Sequence, residues 1–183
     1  MGRVLKFRPE KEGVESFNES LFQLMKNAQK QEEDLFDGSK KVAPIDFQGF
    51  ERVVLLKINN VLMENQCCNS DYYHCGSYIA KLFSSFAENP PESFYAIDYM
   101  AKIKSEEDYY NFRLAGDMCF FLCSVFPERC NRRMMTYKDY LQIGKTMYAN
   151  FYNKTEQKIA YLMSSNYEEM AQVTATAINT LSE

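Results

Sequence analysis

Apolar residues recur three and four positions apart along most of the chain. Val14, Phe17, Leu21, Leu24, Ala28 and Leu35 keep this spacing, which lines one helix face and predicts a helix over roughly 14–36. Asp37-Gly38-Ser39 ends it, with Gly38 suited to a left-handed cap. Beyond a loop containing Pro44, the stripe Phe47, Phe50, Val54, Ile58, Val61 and Leu62 predicts a second helix over roughly 46–65, capped by Asp46. A third, roughly 70–88, takes Ser70 or Asp71 as its cap and Ile79, Leu82, Phe83 and Phe86 as its stripe. Asn89-Pro90-Pro91 stops it, because proline clashes with the preceding turn.

A shorter fourth helix, roughly 92–103, is expected to turn Phe94, Ile97 and Ala101 inward. The fifth, roughly 105–126, opens on Ser105 with Glu106, Glu107 and Asp108 behind it, acids that suit the positive end of a helix dipole. From Met118 to Phe126 it is apolar on every side, which predicts a buried central helix. The sixth, roughly 137–152, is capped by Thr136 and carries Tyr140, Leu141, Gly144, Met147, Tyr148 and Phe151. The seventh, roughly 155–181, takes Thr155 as cap and Ile159, Leu162, Met170, Val173, Ile178 and Leu181 as its stripe, interrupted by Asn166. Val53-Val54-Leu55-Leu56 is the one strand-like run, and it lies inside a helical pattern. The reading is all-α: an extended arm over 1–12, then a single-domain bundle of about seven helices over 13–183.

Gly116 and Gly144 fall inside predicted helices, where each costs about 1 kcal/mol relative to Ala. A close approach of two backbones explains them, so the fifth and sixth helices are expected to cross at these packing glycines.

Composition narrows the function. The chain has 183 residues, enough for a hydrophobic core without disulfide or metal. Its formal net charge is −4, which argues against a general grip on nucleic acid. Local basic groups, Arg3, Lys6 and Arg8 and then Arg129, Arg132 and Arg133, read as solvated surface charge. No run reaches the eighteen or so apolar residues of a membrane span, and the N-terminus lacks the apolar core of a signal peptide. The expected location is cytoplasmic, with the 6 cysteines reduced.

Candidate chemistry is sparse. His74 is the single histidine and has no Glu three residues before it, so a di-iron bundle lacks ligands. No Gly-x-Ser-x-Gly elbow is present, and Gly144-Lys145-Thr146 lacks the partner glycine of a P-loop. No catalytic residue is assigned and no cofactor is implied. Cys67, Cys68, His74 and Cys75 are soft ligands close in sequence, without the spacing of a zinc site; His74 and Cys75 are the metal or haem candidates. Cys119 and Cys123 lie one turn apart on an apolar segment and read as small core hydrophobes. Asp117 opens that segment and needs a partner if buried: Arg113 at i−4, or across helices Lys145, Arg132 or the hydroxyl of Tyr148. Asp117, Arg113, Tyr140, Tyr148 and Arg132 form the candidate ligand-binding set. Tyr72, Tyr73, Tyr78, Tyr95, Tyr99, Tyr109 and Tyr110 are candidates for half-buried edges or an interface.

Gly116-Asp117, Phe126-Pro127-Glu128-Arg129, Arg132-Arg133, Tyr140, Gly144 and Tyr148 carry a resemblance. Over about residues 105–150 the chain resembles a group of uncharacterised bacterial all-helical proteins. That group has no established activity, so the resemblance implies a helical fold with the fifth and sixth helices as one unit, and no function. Clustered Cys67-Cys68 and Lys145 depart from it. The expected function is a non-enzymatic helical interaction or regulatory protein, self-associating as a homodimer or binding a protein partner. The alternatives are a small-molecule binder anchored by Asp117 and, less favoured, a metal or haem protein using His74 and Cys75.

Overall fold

A computed structural model describes residues 19–28, 47–67, 69–130 and 135–182. They form seven helices and no strand. We label them α1 (19–28), α2 (Phe47–Glu64), α3 (Ser70–Glu88), α4 (Ala96–Met100), α5 (Tyr110–Val125), α6 (Tyr137–Thr155) and α7 (Lys158–Ser182). Short 3-10 turns at Glu106–Tyr109 and Pro127–Arg129 bracket α5. The predicted arm over 1–12, the Gly38 cap, the Asp46 cap and Arg132 lie outside the described residues.

The chain folds as one bundle. α2 packs on α3, α5 packs on α4 and α6, and α7 touches α2, α3, α5 and α6, joining the two groups. The apolar stripes dictate this arrangement. Leu21, Leu24 and Ala28 are buried in α1, and Phe50, Val54, Ile58 and Leu62 in α2. In α5 every residue from Ala115 to Ser124 is buried, as its all-round apolar pattern requires. Phe121 sits at the centre of an aromatic cluster, with the rings of Phe83, Phe86, Phe94 and Phe126 at 5.3, 5.4, 5.6 and 5.7 Å. Phe83, Phe86 and Phe126 meet it edge-on, and each such pair adds about 0.5–1.5 kcal/mol beyond area burial.

The helix ends differ from the sequence expectation for local reasons. Asn69, not Ser70 or Asp71, caps α3: its extended backbone lets Oδ1 accept from the amides of Asp71 (2.6 Å) and Tyr72 (3.3 Å). α4 is reduced to five residues. Ser93 Oγ donates to Asp98 Oδ2 at 2.5 Å and accepts the Tyr95 amide at 3.0 Å, and these bonds hold 93–95 out of the helix. The inward face is therefore set by Ala96 and Tyr99, while Ile97 is 63% exposed and Ala101 is also exposed. Phe94 is buried from the loop, not from a helix. The predicted fifth helix is split: Ser105 and Asp108 form a capping box on a 3-10 turn, Asp108 leaves helical geometry at ψ 18, and the α-helix begins at Tyr110. Thr155 ends α6 instead of opening α7; its hydroxyl donates to the Phe151 carbonyl at 2.8 Å, and Glu156 turns the chain at φ 53. Asn166 does interrupt α7: its Nδ2 donates to the Leu162 carbonyl at 3.0 Å and its backbone leaves the helical region.

α5 and α6 approach each other at two glycines. A Cβ on Gly116 would lie 3.1 Å from Cδ2 of Tyr148 and 3.5 Å from the carbonyl oxygen of Gly144. A Cβ on Gly144 would overlap the Tyr167 hydroxyl and stand 2.9 Å from Cβ of Cys119. Gly144→Ala gains about 1 kcal/mol of helix propensity, but the overlap must displace a fully buried tyrosine. We expect a net destabilisation of about 1–3 kcal/mol in urea unfolding, with a smaller loss for Gly116→Ala. Wild-type stability in Gly144→Ala would show that Tyr167 is not held in place by this crossing.

Candidate functional site

Asp117 is the one buried charged residue among the described residues, with 1% of its surface exposed. Three helices supply its partners. Tyr78 of α3 donates its hydroxyl to Oδ1 at 2.7 Å, and Tyr148 of α6 donates a short hydrogen bond to the same oxygen. Arg113, one turn earlier on α5, places Nε 3.5 Å from Oδ2 and donates from Nε to the Tyr78 hydroxyl at 3.1 Å. Its guanidinium also lies over the Tyr78 ring, 5.6 Å from the centroid.

The neighbouring glycines make this geometry accessible. Gly116 leaves space for the Tyr148 ring beside α5, and Gly144 leaves space for Tyr167 beside α6. Tyr167 donates to the Gly116 carbonyl at 3.0 Å, which ties α7 to the same point. Tyr148 contacts Tyr78 edge-on at 6.3 Å and Tyr167 at 5.8 Å.

The electrostatics are a contest between burial and hydrogen bonding. Burial is the largest influence on Asp117 and pushes its carboxyl up to about 6, against the opposing pull of Tyr148, Arg113 and Tyr78. Burial likewise raises the Tyr148 hydroxyl well above its ordinary range, reinforced by the Asp117 charge, and raises Tyr78 in the same way. Both tyrosines therefore remain protonated donors at neutral pH. With both carboxylate oxygens engaged, the cluster is a closed polar node with no unengaged nucleophile or base.

Of the five ligand-binding candidates, the structure brings together Asp117, Arg113 and Tyr148. Tyr140 shares α6 with Tyr148 but lies about 12 Å from it along the helix axis. Burial raises its hydroxyl, followed by the nearby thiols of Cys130 and Cys119, so it belongs to a different neighbourhood. Tyr78 and Tyr167 complete the node. The sequence marks Tyr78 only as one of many tyrosines, and Tyr167 only by its place beside the Asn166 interruption.

The metal candidates do not converge. His74 is exposed and Cys75 buried, and the two side chains leave the helix about 100° apart. Burial pushes the Cys75 thiol up to about 12, disfavouring the thiolate a metal would take. Among the described residues no three His, Cys, Asp or Glu side chains lie together so as to hold a metal. Two open depressions mark the surface. One of about 240 Å³ lies between Leu21, Phe22, Met25 and Phe86, Ala87, Pro90; one of about 330 Å³ is lined by Ile103, Lys104, Ser105, Phe112 and Lys154. Asp117 lines neither. No described helix is long and apolar enough to cross a membrane.

Comparison with protein-family models, with curated proteins and with solved structures gives no match for this chain.

The raised carboxyl of Asp117 predicts a signed pH effect. The folded state holds the proton more tightly than the unfolded chain, so this stabilisation is complete below pH 3.8 and is lost as pH rises to about 6. Asp117→Asn removes that titration. The stability of wild type relative to this variant should fall by on the order of 2–3 kcal/mol between pH 4 and pH 7. A pH-independent difference in paired denaturation curves would contradict the assignment.

Proposed function

We propose that this chain is a non-enzymatic helical interaction protein that pairs with a second copy of itself through the outer face of α5. The observation that carries the reading is the state of Arg113. Its Nε is held from beneath by Asp117 and Tyr78, while its side chain stays 40% exposed and its outer nitrogens take no partner among the described residues. A guanidinium fixed in this way loses little freedom on binding a carboxylate.

Its surroundings suit a protein surface. Tyr110 is 54% exposed and Leu114 36% exposed, four residues apart on the same helix face. Tyr110 stacks on Tyr109 at 4.6 Å, and Tyr109 stacks on buried Phe151 at 6.2 Å, so the aromatic ledge is braced by the core. Tyr and Arg are the residues that most often anchor interfaces.

Charge favours a second copy as the occupant. Glu107 is exposed and precedes Tyr110 by three residues; Arg113 follows it by three. A two-fold axis near Tyr110, with the two helices antiparallel, sets Arg113 of each copy against Glu107 of the other. Two ion pairs then flank one apolar contact, and the surface is complementary to itself.

Sedimentation equilibrium tests this. Wild type should be dimeric, and Tyr110→Ala should weaken the dimer by about 2 kcal/mol, some thirtyfold. Glu107→Arg, which sets like charges together, should also weaken it while helicity is unchanged. Tyr110→Cys should cross-link to itself under mild oxidation. A monomeric wild type, or a dimer indifferent to all three variants, would overturn the proposal.

A further inference from the structure

The open depression of about 330 Å³ joins the loop before α5, the first turn of α5 and the end of α6. Its floor is apolar. Phe112 is half-buried and packs against the core, and Ile103 is half-buried in the loop. Phe112 leaves α5 about 200° round from Tyr110 and from Leu114, so this is a different face of the helix. The rim carries two exposed lysines, Lys104 from the loop and Lys154 from the last turn of α6.

The loop side of this rim is fixed in advance. Asp108 Oδ2 accepts from the amides of Lys104 (3.0 Å) and Ser105 (2.9 Å) and from the Ser105 hydroxyl (3.2 Å). The Ile103 amide donates to the Met100 carbonyl at 3.1 Å. Those two amides do most to hold the Asp108 carboxyl below its ordinary range, and the Lys104 charge contributes least. The Lys104 ammonium itself enters no hydrogen bond or ion pair among the described residues.

We propose that this depression binds a small aliphatic monocarboxylate, with its chain on Ile103 and Phe112 and its charge beside Lys104 and Lys154. Two positive groups on the rim select an anion. Phosphate is favoured where successive backbone amides converge, and here the amides of Lys104 and Ser105 are already taken by Asp108. Lysine offers a point charge instead, which one carboxylate satisfies. An alkyl chain then covers the apolar floor and removes it from water. A mostly apolar site with a few polar groups at one edge orients such a ligand, and a volume near the lower end of ligand sites keeps it small. Because the loop is already held, little ordering is needed on binding.

The test is a titration of the isotope-labelled full chain with octanoate at low salt, followed by NMR. The signals of Ile103 and Phe112 should shift and saturate, with a Kd on the order of 1 mM. Octan-1-ol, which lacks the charge, should bind about tenfold more weakly. The double variant Lys104→Gln, Lys154→Gln should weaken octanoate by about the same factor, with helicity unchanged because both lysines are exposed. Equal affinity for octanoate and octan-1-ol would overturn the proposal, as would a double variant that binds octanoate like wild type. Inorganic phosphate moving the same signals with equal affinity would overturn it too. So would shifts confined to the depression at Leu21, Met25 and Phe86, or no saturable shift at all.

Discussion

Where α5 crosses α6, two helices must come closer than side chains normally permit, and much of the bundle is organised around that approach. Gly116 and Gly144 each forgo about 1 kcal/mol of helix propensity there. In return, two large rings find places that any Cβ would obstruct: Tyr148 against Gly116 and Tyr167 against Gly144. Because Tyr167 also donates to the Gly116 carbonyl, the crossing fixes α7 as well. α7 in turn touches both helix groups. The crossing thus joins α5, α6 and α7 at one point.

The carboxylate of Asp117 depends on that crossing. An isolated charge at this depth would cost several kcal/mol. Tyr148 reaches it with its ring seated against Gly116, and Tyr78 reaches it from α3. Even so, burial remains the stronger influence, and the carboxyl titrates near neutrality instead of in the ordinary acid range. A group of that kind is weak evidence for stability. What it does supply is registry: an arrangement that rotated α3 or α6 by one residue would leave a buried charge without its donors.

Much of this was legible in the sequence. The helical stripes locate six of the described helices to within a few residues, and the all-round apolar run at 118–126 marks the central one. Gly116, Gly144 and Asp117 stand out because each breaks a local rule, glycine in a helix or a carboxylate at the edge of an apolar run, and Arg113 and Tyr148 follow as candidate partners for that carboxylate. Tyr78 and Tyr167 break no such rule. A tyrosine in an amphipathic helix is ordinary, and only the three-dimensional crossing tells which of 13 tyrosines lies inside. The boundaries at Asn69, Ala96 and Glu156 were hidden for another reason. Each is decided by a pair of side-chain hydrogen bonds or by one left-handed residue, local interactions on the order of 1 kcal/mol that stripe periodicity does not encode.

The two ends of α5 then follow from where the node sits. On the N-terminal side the polar network runs outward from Asp117 through Arg113 to the surface, so the guanidinium is presented in one orientation beside Tyr110 and Leu114. On the C-terminal side α5 buries no charged residue among the described residues. Apolar packing continues until Phe126, and the chain must reverse there because Pro127 cannot extend the helix. That turn brings the Cys130 thiol to the Phe126 carbonyl, at 3.9 Å. One helix therefore carries a rigid, charged, outward-facing end and a buried, sulfur-bearing, turn-limited end.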